Sequence, residues 1–119
     1  MMKQLKRVRA RPAREGAGET PAAAFRDAAR CQRVVGTLSL LANERRLRIL
    51  CTLLDSDRSV AEIVNAVGGS FSGVSQQLKL LTLAGHLARR RSEKSVIYRL
   101  ADPGIARILH FLKNEFPSE

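Results

Sequence analysis

The 119 residues suffice for one hydrophobic core, and 21 Lys and Arg against 11 Asp and Glu leave a formal charge of +10. Hydrophobic residues at 45% exclude a disordered polyelectrolyte, no apolar run reaches the length of a membrane span, and two cysteines without a CxxC pair exclude a disulfide framework or a cysteine-rich zinc module. Aromatics at 4% with no Trp speak against a stacking platform for single strands, and the small basic chain reads first as a nucleic-acid binder.

Residues 1–22 are expected to form a flexible basic tail. Lys3, Lys6, Arg7, Arg9, Arg11 and Arg14 precede the first acid, and Gly16, Gly18 and Pro21 interrupt any helix. Two readings stand for this tail, a solvated terminus and an arm lying on DNA. The basic start lacks the apolar core of a signal peptide, so the expected location is cytoplasmic. Residues 23–119 are expected to fold, and 31–119 keep a net +5 from 13 basic and 8 acidic side chains.

Cys31, Val34, Val35, Leu38 and Leu41 recur at helical spacing, which predicts a first helix over 24–42. Asn43 is an N-cap for a second helix over 44–54 with Leu47, Leu50, Cys51 and Leu54 on one face. Ser59 and Glu62 form a capping box for a short third helix carrying Val60, Ile63, Val64 and Val67, and Gly68-Gly69 stops it. Ser70 caps a fourth helix over 71–84 whose inward stripe is expected to be Phe71, Val74, Leu78 and Leu81. Two extended runs follow, 86–91 and 95–100, joined by Ser92-Glu93-Lys94, and Val96, Tyr98 and Leu100 alternate with Ile97 and Arg99. Asp102-Pro103 starts a last helix striped by Ile105, Ile108, Leu109, Leu112 and Phe116. The fold class is therefore mainly α with a small β-hairpin, a winged helix-turn-helix in the order α-α-α-α-β-β-α, expected to be dimeric.

The stretches ANERRLRILCTLL (42–54), SVAEIVNAVGGSFSGVSQQLKLLTLAGHLARRR (59–91) and VIYRL (96–100) resemble the ArsR/SmtB family of winged-helix repressors. The resemblance implies a homodimer formed by the first and last helices, which binds a two-fold operator in double-stranded DNA and lets go when an inducer acts. The uncovered apolar stripes agree with a dimer. Its expected seam is Val34, Leu38, Ile105, Ile108, Leu109, Leu112 and Phe116.

Expected DNA contacts are Ser70, Ser72, Gly73, Ser75, Gln76 and Lys79 on the fourth helix, with Gln77 beside them, and Arg89, Arg90, Arg91 and Lys94 on the wing. Gly73 is unusual inside a helix and is read as permitting close approach to the DNA backbone. Relatives often carry Gln at position 71 and Thr or Ala at 73, so Phe71 bars carrying over their operator sequence.

The family's metal sites do not map onto this chain. Ser59 and Ala61 stand where a Cys-x-Cys box would lie, and Asp102, Gly104, Glu115 and Ser118 where Asp, His, His and Glu would lie. His86 and His110 are read as surface or interface residues. No resident metal or cofactor is expected. Cys51 matches a reactive cysteine of the thiol-sensing branch, but Pro117 replaces that branch's second cysteine, leaving Cys31 as the substitute. Two readings stand for each thiol, a sensor of oxidants or reactive sulfur and a packed core residue. Without paired catalytic carboxylates, a Gly-rich phosphate loop or a Ser–His pair, no enzyme is expected. The expected function is a DNA-binding repressor released from its operator by thiol modification, through reactive sulfur or an oxidant; the competing readings are a metal- or metalloid-responsive repressor with a non-standard site and an inducer-independent architectural DNA-binding protein.

Overall fold

The computed structural model describes residues 18–118. Most of the 1–22 tail expectation lies outside them. The chain divides into two units, one ending at Val35 and one beginning at Gly36.

In the first unit, Thr20 Oγ1 accepts the N–H of Ala23 at 3.1 Å and opens a single helical turn, α1 (Pro21–Ala24). Pro21 therefore starts a helix instead of breaking one, because at the first helical position its missing N–H has no partner to lose. Phe25 leaves helical geometry, and Asp27 Oδ1 accepts the N–H of Arg30 at 3.2 Å. Helix α2 (Ala28–Leu41) thus begins four residues later than the apolar spacing suggests. Arg30 pairs with Glu19 at 2.6 Å and lies 5.8 Å from the Phe25 ring centroid.

The second unit carries the core: Leu41, Ile49, Leu50, Leu53, Ile63, Val74, Leu78, Leu81, Leu87, Tyr98, Ile105 and Leu109. Helix α3 (Glu44–Asp55) is capped by Asn43 and buries Ile49, Leu50 and Leu53. That face is rotated from the expected one, so Cys51 is exposed. Arg58–Ser59 (β1) then pairs with a later strand, an element that two residues are too few to signal. Helix α4 (Val60–Val67) has the expected capping box: Ser59 Oγ accepts the N–H of Glu62 at 3.2 Å, and Glu62 Oε1 accepts the N–H of Ser59 at 2.9 Å. Such a cap contributes about 1 kcal/mol.

Gly68 and Gly69 turn the chain with φ of 82° and 93° into helix α5 (Phe71–Leu83). Val74, Leu78 and Leu81 of α5 enter the core, whereas Phe71 stays outside it, 60% exposed. The first turn of α5 projects past the core, so the inward stripe has three members and not four. Strands β2 (Leu87–Arg91) and β3 (Val96–Leu100) form the wing in the register Arg89↔Tyr98, Arg90↔Ile97 and Arg91↔Val96. The sheet order is β1-β3-β2, all antiparallel. Asp102 caps α6 (Pro103–Glu115), accepting the N–H groups of Gly104 and Ile105 on Oδ1.

The architecture is a winged helix-turn-helix: α4, a glycine turn, α5 and a hairpin. The α6 stripe does not remain uncovered as expected. Ile105 and Leu109 are 2% and 3% exposed within the subunit's own core, and Ile108 packs against it.

Candidate nucleic-acid interface

Helix α5 is fixed at its start by Ser70, whose Oγ accepts the N–H of Gly73 at 3.0 Å. A Cβ at position 73 would stand 2.9 Å from that oxygen. A side chain there would require the Ser70 hydroxyl to shift slightly. Ser72, Gln76 and Lys79 follow one another at about one-turn spacing on the outward face, all exposed, and Ser75 is half-buried at its edge.

Gln77 does not belong to this face. Its Oε1 accepts from Nε of Arg46 at 3.2 Å, while Nη1 of the same arginine donates to the carbonyl of Leu40 at 3.3 Å. The Leu40 carbonyl is among the last of α2, which have no partner within their helix. Arg46 therefore ties the end of α2 to α5. Beside it, Arg45 Nη1 donates to the Gly68 carbonyl at 3.0 Å, and a Cβ on Gly69 would collide with the Arg45 guanidinium. Two consecutive arginines of α3 thus hold the turn and the flank of the helix that follows it. Neither contact has a local sequence signal, since the partners lie 23 and 31 residues away.

The wing divides its cations by strand face. Arg89 and Arg91 stand opposite Tyr98 and Val96, and Arg89 lines a groove with Lys79, Thr82, Leu83 and Tyr98. Neither arginine has a hydrogen bond or ion pair among the described residues. Arg90 points the other way and pairs with Asp57 at 2.9 Å, both partners well exposed. It is accordingly a less available phosphate ligand than its neighbours. Lys94 is exposed at the wing tip, where the Ser92 N–H bonds the Ser95 carbonyl at 2.7 Å.

Where the wing meets α6, His86 Nδ1 lies 2.9 Å from Asp102 Oδ2. Burial raises the Asp102 carboxyl, but the His86 hydrogen bond, the Ile105 N–H, the His86 charge and the Gly104 N–H together outweigh it and hold the carboxyl below the usual carboxylate range. His86 is therefore a structural partner of the α6 cap. Among the described residues no group of three His, Cys, Asp or Glu side chains is placed to hold a metal ion, and no helix is long and apolar enough to cross a membrane.

Cys51 is exposed on α3 and Cys31 is half-buried on α2. Partial desolvation of the sulfur by its neighbours, and then the Asp55 charge, push the Cys51 thiol up. Arg48, one turn earlier, does not offset this, because it pairs with Glu44 at 2.5 Å. Of the expected dimer seam, Val34, Leu38 and Phe116 are exposed and Leu112 is half-buried. The sequence reading omitted Val35 and Phe111, which are also exposed; Phe111 sits two positions from the buried Leu109, on the opposite side of the same helix.

Comparison with known proteins agrees with this geometry. The model of the family described as bacterial regulatory protein, arsR family, matches residues 43–85. The uncharacterised HTH-type transcriptional regulator Rv0081 of Mycobacterium tuberculosis is 46% identical over 70 residues, 58% of this chain. That match spans only 61% of the relative's length. The biofilm growth-associated repressor of Xylella fastidiosa is 32% identical over 87 residues, 73% of this chain and 76% of the relative. The crystal structure of the transcriptional repressor BigR from the same organism superposes with a TM-score of 0.71 at 31% identity, covering 76% of this chain and 93% of that one. The homodimeric winged helix-turn-helix DNA-binding domain of Mb0332 from Mycobacterium bovis, a possible ArsR-family regulator, superposes with a TM-score of 0.64 at 31% identity, covering 83% and 88%.

Proposed function

This chain belongs to the arsR family of bacterial regulatory proteins, and from that premise we propose that it binds double-stranded operator DNA as a homodimer and represses transcription. One observation carries the DNA reading. Ser72, Gln76 and Lys79 share the outward face of α5, and Arg89 and Arg91 extend beside them from the wing without a partner among the described residues. The glutamine amide suits an adenine edge, the serine a base or phosphate, and the cations neutralise phosphates.

The dimer reading is supported by the homodimeric state of the M. bovis domain and by unpartnered apolar side chains, Val35 and Leu38 on α2 and Phe111 and Phe116 on α6. A charge at Leu109 would test folding and not assembly, so Phe111 and Phe116 are the informative positions. The test is a protection footprint of the full chain on the DNA preceding its own coding sequence. Two protected half-sites with centres about 34 Å apart, related by two-fold symmetry, are expected. A single asymmetric footprint would sink the dimer reading.

We infer further that the signal is thiol modification at Cys51, with Cys31 as the candidate second thiol. Cys51 is exposed on α3, the helix whose Arg45 and Arg46 hold the turn and flank of α5. A displacement of α3 would therefore reach the DNA-facing helix directly. With its thiol pushed up, Cys51 reacts through a minor thiolate at neutral pH, and its alkylation rate is expected to climb as pH rises above neutral. Oxidation to a disulfide gives up two thiol protons and two electrons, which diamide takes up. Parent and Cys51→Ser chains are titrated on the footprinted DNA with diamide, a persulfide, zinc and arsenite. Release of the parent alone by diamide or persulfide is expected. If the variant lets go equally, Cys51 is not the sensor; release by zinc or arsenite would favour a metal-responsive reading.

A further inference from the structure

We propose that Phe71 reads the 5-methyl group of a thymine in each operator half-site, an inference that rests on the DNA-binding reading of α5. Phe71 is the first residue of the helix, directly after its cap. The residue is 60% exposed, and it belongs neither to the core nor to the apolar side chains packed against it.

The surroundings limit what can cover it. Ser70, Ser72 and Gly73 flank it, all exposed, and Gln76 and Lys79 continue the polar face. The other exposed large apolar residues of α5, Leu80 and Leu83, begin nine positions on, about 13 Å along the axis. Along α5, Phe71 is thus a single apolar group among exposed polar and basic residues. Its complement is a partner that shows a single apolar group on a polar, acidic surface. Among the base edges of the major groove, which otherwise present donors and acceptors, thymine's methyl is that group, and Phe is one of the side chains that meet it.

The position also suits base contact. Residues at the start of the second helix of a helix-turn-helix reach the base edges. Here that start is held rigid from both sides: Ser70 caps it, and Arg45 braces the preceding turn through the Gly68 carbonyl. The turn itself is Gly68-Gly69, with no side chain to hold the duplex away from the ring.

The experiment begins with the full chain enriching its own binding sequence from a randomised duplex library. Each thymine of the enriched duplex is then replaced, one at a time, by deoxyuridine, which removes only the methyl group. Affinity is measured for the parent, Phe71→Ala and Phe71→Leu. The parent is expected to lose about fourfold at one thymine per half-site, the worth of one buried methyl. Phe71→Ala should bind thymine and uracil duplexes alike, and Phe71→Leu should keep part of the difference. An enriched sequence whose binding by the parent is indifferent to every replacement overturns the Phe71 inference alone. So does a Phe71→Ala chain that keeps the parent's sensitivity. A chain that enriches no sequence overturns the DNA reading, and this inference with it.

Discussion

The arginines of α3 and those of β2 differ in where their guanidinium groups end. Arg45 and Arg46 reach back into their own subunit, to the Gly68 carbonyl, to Gln77 and to the Leu40 carbonyl. Arg89 and Arg91 extend from the wing and meet no acceptor among the described residues. One pair is held by fixed protein acceptors and builds the frame; the other is left free, as the proposed phosphate contacts require. A net charge of +10 counts both alike. The first pair helps to set where α5 points and the second keeps its donors free, while both pairs, having no anionic partner among these contacts, keep their charge and add to the protein's positive field. Arg90 stands between the two uses, exposed like its neighbours yet paired with Asp57.

The largest expected effect comes from breaking the frame. Arg46→Met strands the half-buried Gln77 Oε1 and the Leu40 carbonyl, and should cost about 1–3 kcal/mol in urea unfolding. Because α5 loses its tie to α2, affinity for the enriched operator should fall more than affinity for random DNA. Arg46→Lys should not restore it, since a point charge on a flexible stem cannot span two acceptors as the planar fork does. Equal losses on both DNAs, with stability unchanged, would show that Arg46 belongs with the wing arginines after all. The complementary change, Arg89→Ala with Arg91→Ala, should leave unfolding within about 0.5 kcal/mol of the parent. It should weaken both DNAs alike and flatten the dependence of log affinity on log salt by up to about 0.9 per arginine. A specific loss on the operator alone would mean that these side chains read bases.

What the sequence made legible was local. Asn43, the Ser59–Glu62 box, Ser70 and the Asp102-Pro103 start all act within three residues of themselves, and all cap their helices. The hairpin was legible from period two. Contacts spanning many residues leave no such trace: nothing local signals the Arg46–Gln77 link or strand β1, and the sequence alone places Gln77 beside the outward face. Periodicity also reports that a stripe is apolar without reporting what covers it. Its spacing alone offers the α6 stripe whole to a partner subunit, yet Ile105 and Leu109 fill the subunit's own core, while Phe111, off the stripe, is exposed. Phe71 fails for a related reason: it keeps the phase of the α5 stripe, but the core ends one turn before it does.

The smallest expected effect is also the sharpest test of the distinction, because it moves one arginine from one class to the other without touching it. Asp57 precedes β1, and its Oδ2 holds Arg90 Nη1 of β2 at 2.9 Å, although β3 lies between the two strands. Both side chains are largely in water, so the pair contributes at most about 1 kcal/mol to folding and is weakened by salt. Asp57→Asn keeps the shape and removes the charge. Arg90 is then released from its ion pair, and a negative charge that repels the phosphate backbone is gone from the wing's flank. Stability should be nearly unchanged, while affinity for random and operator DNA alike should rise a few-fold at low salt, with a steeper salt dependence. The gain should vanish in Asp57→Asn combined with Arg90→Ala if it comes from the freed guanidinium. If it persists there, it comes from the lost repulsion, and Arg90 is only a surface partner of Asp57 with no part in holding DNA.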